Sequence, residues 1–166
     1  MTTPALAQNV RGKGRHYANP LTDDLVPSVT NVISILDKPA LPRWAAKMVA
    51  ERAALMKGSL GRMDDGDIVD TLKAVPWQRS NRAADRGTSI HEYLEARLND
   101  WEPQPLSDDA EPYREAADAW MLAHDIEVIE TELTLFHPLY AGTADFVARV
   151  DGRLTIGDFK TSKAIY

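Results

Sequence analysis

Asp145, Asp158 and Lys160 combine two carboxylates with an ammonium group within sixteen residues of chain. They lie in the stretch Gly142-Thr143-Ala144-Asp145-Phe146-Val147-Ala148-Arg149-Val150-Asp151-Gly152-Arg153-Leu154-Thr155-Ile156-Gly157-Asp158-Phe159-Lys160-Thr161. Two runs rich in β-branched and aromatic residues flank Asp151-Gly152, a dipeptide that closes two-residue hairpins. A loop of that kind pairs Val150 with Arg153, Val147 with Ile156 and Asp145 with Asp158. Strand alternation then puts Lys160 on the face of Asp158, next to Thr143. Facing carboxylates with Cβ atoms roughly 5 Å apart repel each other unless a cation neutralises them, and a divalent ion suits that place. Two acids and a lysine around a hard metal ion suit attack of water on a phosphodiester. The same residues also describe an ordinary solvated hairpin face, and a type I turn with a glycine bulge would shift the register.

Caps, breaks and periodicity outline the helices and strands that carry these residues. Residues 1–20, with Arg11, Lys13, Arg15 and no apolar periodicity, read as a flexible arm. Residues 21–166 read as a single domain, helical over about 21–124 and sheet-forming over about 125–166. A short helix capped near Ser28 closes before Pro39. A second runs from about Leu41, with Pro42 in its first turn, to Lys57. Val75-Pro76-Trp77 marks a break. Ser89 and Glu92 have capping-box spacing, so a helix is expected to start near Ser89 with Ile90, Leu94 and Leu98 as its apolar stripe. His91 then falls in the first turn, off that stripe, where the helix dipole favours a neutral, metal-competent imidazole. A lone histidine is more often structural than a ligand. Ala110 to His124 reads as a helix and Ile126 to Phe136 as a strand. On that strand Ile129, Leu133 and Leu135 alternate with Glu130, Glu132 and Thr134, so its acidic face can lie beside Asp145 and Asp158.

At 166 residues the chain can bury a real core, and 44% apolar with 27% charged content is that of a globular protein. Zero cysteines exclude disulfides, iron–sulfur clusters and cysteine zinc sites. No apolar run reaches the roughly 18 residues that span a bilayer, and no secretory signal opens the chain, so a cytoplasmic location with no membrane partner is expected. The net charge of −6 does not advertise a nucleic-acid binder. Its distribution is uneven: residues 1–57 hold eight of the 19 Lys/Arg and four of the 25 Asp/Glu, which leaves the remainder strongly acidic.

Three blocks carry a family resemblance: Gly87-Thr88-Ser89-Ile90-His91, Ala141-Gly142-Thr143-Ala144-Asp145, and Asp158-Phe159-Lys160-Thr161-Ser162-Lys163. Together with Val26-Pro27-Ser28-Val29-Thr30 and Trp44-Ala45-Ala46, they resemble the PD-(D/E)XK nuclease superfamily, in its RecB-like branch of bacterial recombination enzymes and phage exonucleases. The resemblance touches residues 26–166. It implies an α+β fold with a restriction-endonuclease-like core: N-terminal helices and a mixed sheet that carries a catalytic hairpin. It implies that His91, Asp145, Asp158 and the backbone carbonyl of Phe159 hold Mg²⁺ or Mn²⁺, and that Lys160 orients or activates the attacking water. Glu132 matches the acidic position on the preceding strand, with Glu130 as its competitor.

The implied activity is that of a metal-dependent DNA nuclease, exonuclease-like, in phage or bacterial DNA recombination and repair, of the kind without an iron–sulfur cluster. Family members continue beyond the Asp-x-Lys strand with a helix bearing Gln-x-x-x-Tyr and a further strand, whereas six residues follow Lys160 here. The expected partners are therefore DNA and either a second chain supplying the missing C-terminal helix and strand or another copy of the chain. The alternative expectation is a catalytically silent or split nuclease-fold module that binds DNA or a partner chain.

Overall fold

The computed structural model describes residues 6–161, which form two compact units. One comprises the described residues up to Leu36 together with those from Arg86 on; the other is Asp37–Asp85. The fold is mixed α and β, with two three-stranded antiparallel sheets and five helices among the described residues. Ser162 and Lys163 of the Asp-x-Lys block, and the start of the expected arm, lie outside the described residues.

The first unit opens with β1 (Ala7–Val10), β2 (Gly14–Ala18) and β3 (Leu25–Pro27), paired in that order. Where an arm was expected, residues 7–18 thus form a hairpin. Gly12 and Gly14 turn the chain at φ +74° and +76°, and a Cβ on Gly14 would sit 2.4 Å from Asn31 Oδ1. That asparagine belongs to α1 (Val29–Ile33), and its side-chain amide donates to the Arg15 carbonyl at 3.1 Å. Ser28 caps α1 as expected, its hydroxyl accepting from the Asn31 N–H at 3.0 Å.

The second unit holds α2 (Ala40–Leu55), α3 (Lys57–Leu60) and the first part of α4 (Asp65–Leu98), with Met48 and Val75 buried. Asp64 caps α4, its Oδ1 accepting from the Asp67 N–H at 3.0 Å. Two expectations are corrected here. The helix runs unbroken for 34 residues through both Pro76 and Ser89. A proline removes one helical hydrogen bond, but burial of Val75 beside it and of Ile90 and Leu94 further on outweighs the local stop signals.

The rest of the first unit is α5 (Glu111–Ala123), β4 (Ile126–His137), β5 (Tyr140–Val150) and β6 (Arg153–Gly157), the strands pairing in the order β4-β5-β6. Asp118 of α5 accepts from Tyr93 at 3.0 Å and Arg97 at 2.8 Å, which fastens α5 to α4, and from Arg114 of its own helix at 2.7 Å. Ile90, Tyr93, Leu94 and Ala110 form the core between these helices, with Phe159 packed against it. A second cluster of Tyr17, Val26 and Ala141 joins the two sheets. There a parallel bridge pairs Ser28 with Ala141, and the Tyr17 hydroxyl lies 3.1 Å from the Thr143 hydroxyl.

The Asp-Gly turn forms with positive φ at both Asp151 (50°) and Gly152 (77°), the signature of type I′. The expected register follows, with Val150 opposite Arg153 and Val147 opposite Ile156. The expected mixed sheet does not form among the described residues. Its two connections, 138–139 and 151–152, are hairpin turns too short for a parallel crossover. The expected stripe of Ile129, Leu133 and Leu135 does not form: a register shift between Val128 and Glu130 leaves Ile129 unpaired and exposed, Leu135 is exposed as well, and Leu133 alone of the three is half-buried. Among the described residues, no helix is long and apolar enough to cross a membrane.

Candidate functional site

Asp145 sits in the middle strand β5 with its side chain 14% exposed. Its Oδ1 lies 3.3 Å from His91 Nδ1, and its Oδ2 accepts the Phe159 backbone N–H at 2.5 Å. Burial pushes the Asp145 carboxyl up. Hydrogen bonds from His91 and Phe159, with the charges of His91 and Lys160, outweigh it and hold the group below the usual carboxylate range. The His91 ring is shifted the other way. Its hydrogen bond to Asp145 raises it above the ordinary imidazole value, with help from the charges of Asp145 and Asp158, while burial and Lys160 oppose the shift. Phe159 also packs edge-on against the His91 ring, with centroids 6.3 Å apart.

His91 therefore lies in the interior of α4, not in a first helical turn. Its protonation is governed by Asp145, and the expected effect of a helix N-terminus does not apply. Ser89 and Glu92 sit in the same continuous helix, where their spacing marks no start.

Asp158 departs from the expected cross-strand pairing. The β5–β6 ladder ends at Phe146 opposite Gly157, so Asp158 does not face Asp145 across it. The physical reason is Phe146: a Cβ on Gly157 would come within 2.0 Å of Cζ of that ring. Glycine lets the two strands close there, and the next residues leave the ladder. Asp158 then forms an ion pair with Lys160, both side chains more than half exposed. Thr143, expected beside Lys160, instead bonds Tyr17. All four groups still share one neighbourhood: the Phe159 amide bonded to Asp145 lies between Asp158 and Lys160 in the chain, and Asp145 also meets His91.

Glu132 and Glu130 separate clearly. Glu130 is exposed, opposite Val147. Glu132 holds φ +53°, a left-handed backbone that costs a side-chain-bearing residue about 1–2 kcal/mol. Although the residue as a whole is exposed, partial burial of its carboxyl raises its pKa, and the charges of Asp145 and Glu95 add to this against His91 and Arg15. Glu132 is thus the acid within electrostatic reach of Asp145. Strain and a perturbed carboxyl at one residue are features that gather at working sites.

One imidazole and two carboxylates are donors that a hard divalent ion accepts, so the residue types fit Mg²⁺ or Mn²⁺. Among the described residues, no three His, Cys, Asp or Glu side chains stand ready as a ligand cluster. Binding an ion would require Asp145 and Asp158 to exchange their present partners. Comparison with protein-family models, with curated proteins and with solved structures finds no match.

An open cleft of about 830 Å³ adjoins this neighbourhood, bounded by α4, α5 and residues 157–161. Arg86 enters it from α4, with Nη1 3.0 Å from Asp109 Oδ2 and the guanidinium carbon 5.2 Å from the centre of the Tyr113 ring. Trp120 of α5 lines the opposite part, its ring 6.1 Å from that of Phe146. Sequence reading singled out neither Arg86 nor Trp120 as functional. Arg86 lies at the i−4 position from Ile90 and i−8 from Leu94, and that spacing along a buried face was the available signal. Gly87 brings α4 close to the Asp-x-Lys segment, since a Cβ there would meet Thr161 Oγ1 at 3.2 Å.

Proposed function

We propose that this chain is a metal-dependent DNA nuclease of the PD-(D/E)XK, RecB-like kind. In this reading it has a restriction-endonuclease-like core and acts as an exonuclease in bacterial or phage DNA recombination and repair, in the cytoplasm. The carrying observation is the convergence of His91 from α4, Asp145 from β5 and the Asp158–Lys160 pair after β6 in one electrostatic neighbourhood. His91, Asp145, Asp158 and the Phe159 carbonyl would hold Mg²⁺ or Mn²⁺. When bound, such an ion stabilises charge on the phosphate and makes water more acidic. Asp145, kept ionised by its two donors, supplies fixed negative charge. Lys160, on the exposed rim, orients the attacking water and offsets charge on the phosphoryl oxygens. Glu132, whose carboxyl feels the charge of Asp145, would supply a second carboxylate able to accept a proton.

A second reading, a silent or split module that binds DNA or a partner chain, is favoured by one observation. Both Asp145 oxygens and the Asp158 carboxylate are already engaged by protein donors. Calorimetric titration with Mn²⁺ separates the two. In the nuclease reading the wild-type chain binds the ion, and Asp145→Asn weakens binding at least about tenfold. Absence of divalent binding, with DNA binding that falls steeply with salt, supports the silent module.

A further inference from the structure

We propose that the cleft between α4, α5 and residues 157–161 receives the unstacked base of a terminal nucleotide whose phosphate lies at Lys160. The inference rests on the nuclease reading. The volume of about 830 Å³ is of the size that accommodates small organic ligands. One wall is a chain of tilted aromatic rings: Trp120 to Phe146 at 6.1 Å, then Phe146 to Phe159 at 5.1 Å between centroids. Phe146 is buried behind the wall, and Trp120 and Phe159, the half-buried ends of the chain, offer π surface to any base without reading its identity.

Charge complementarity points to a phosphorylated ligand over a plain aromatic one. Arg86 and Lys160 both line the cleft. Among the described residues, each is held by one carboxylate, Asp109 or Asp158, and these are 61% and 51% exposed. With the carboxylate of each pair in solvent, the pairing is weak and can give way to a phosphate. Arg86 Nε is buried with no hydrogen-bond partner among the described residues, so the guanidinium still has a donor to give once its side chain re-aims. A base in the cleft must leave its duplex stack, so the substrate class is a single-stranded or frayed DNA end.

The test is an NMR titration of the full chain in EDTA with thymidine 5′-monophosphate, deoxyribose 5-phosphate and inorganic phosphate. The mononucleotide is expected to bind at least about fivefold more tightly than the sugar phosphate, with shifts at the Trp120 indole and the Phe159 amide. Ala116→Trp fills the cleft from an exposed position on α5 and is expected to remove that preference; Trp120→Ala does the same by deleting the wall. Equal affinity for the two ligands, or binding of neither, overturns the proposal. So does a preference unchanged in both variants. DNA hydrolysis that depends on Asp158 alongside equal affinities would sink the base site while leaving the nuclease standing. Base preference without hydrolysis does the reverse.

Discussion

His91 Nδ1 lies 3.3 Å from Asp145 Oδ1, tying the interior of a 34-residue helix to the central strand of a sheet. The contact is partly buried, whereas the Asp158–Lys160 pair stands mostly in water. Breaking the first therefore costs more than breaking the second. Asp145→Asn is expected to lower stability by about 1–3 kcal/mol, since a charged acceptor of two donors is lost. Asp158→Asn should fall within about 0.5 kcal/mol of wild type, as solvent-exposed pairs do. Urea unfolding of the two variants measures both, and equal losses would show that the His91–Asp145 pair is not the structural tie.

The Asp-Gly turn carries a pH dependence of its own. Asp151 Oδ2 lies 2.7 Å from His124 Nδ1 and its Oδ1 accepts the Asp125 N–H at 3.0 Å. The hydrogen bond from His124, followed by that from Asp125, holds the Asp151 carboxyl below its ordinary value of 3.8. A depressed carboxyl contributes stability that is present above 3.8 and lost as pH falls through the lower folded value. Asp151→Asn should flatten that acidic limb of a stability-against-pH curve, recorded by thermal melts between neutrality and strong acid. A limb as steep as wild type would remove Asp151 from the explanation.

Glycine at 152 is required by backbone conformation, with φ 77° and open space where a Cβ would project. Gly152→Val should therefore cost about 1–2 kcal/mol from left-handed strain alone. A melting temperature equal to wild type would mean that the turn relaxes to another type.

Glu132 inverts the usual rule for glycine in strands. At φ 53°, Glu132→Gly relieves strain, and the variant should be as stable as wild type or up to about 1 kcal/mol more so. If Glu132 also serves the site, that stable variant loses activity. A destabilisation greater than about 1 kcal/mol would show that the side chain holds the strand in place.

Local signals were legible in the sequence. The Ser28 cap, the limits of α2 and α5, the run of β4 and the register around Asp151-Gly152 all rest on caps, alternation and turn chemistry within a few residues. The N-terminal sheet was not legible, because strands such as Gly14–Ala18 gain their stability from pairing with Leu25–Pro27 and carry little alternation of their own. Pro76 and Ser89 misled because burial along α4 overrode local stops and starts. The candidate site was half legible. Residue types indicated His91, Asp145 and Lys160, but register alone could not say where the ladder ends. That is decided by the Phe146 ring lying over Gly157, a contact that sends Asp158 outward to Lys160 and brings the Phe159 amide to Asp145.

The most direct test is digestion of end-labelled linear DNA by the full chain with Mg²⁺ or Mn²⁺, beside Asp158→Ala and Lys160→Ala. Wild type is expected to degrade the DNA from its ends only with the divalent ion present, and each variant to lose at least about 100-fold in rate. Equal digestion by all three proteins, or none by wild type while it binds Mn²⁺, would contradict a nuclease built on these residues.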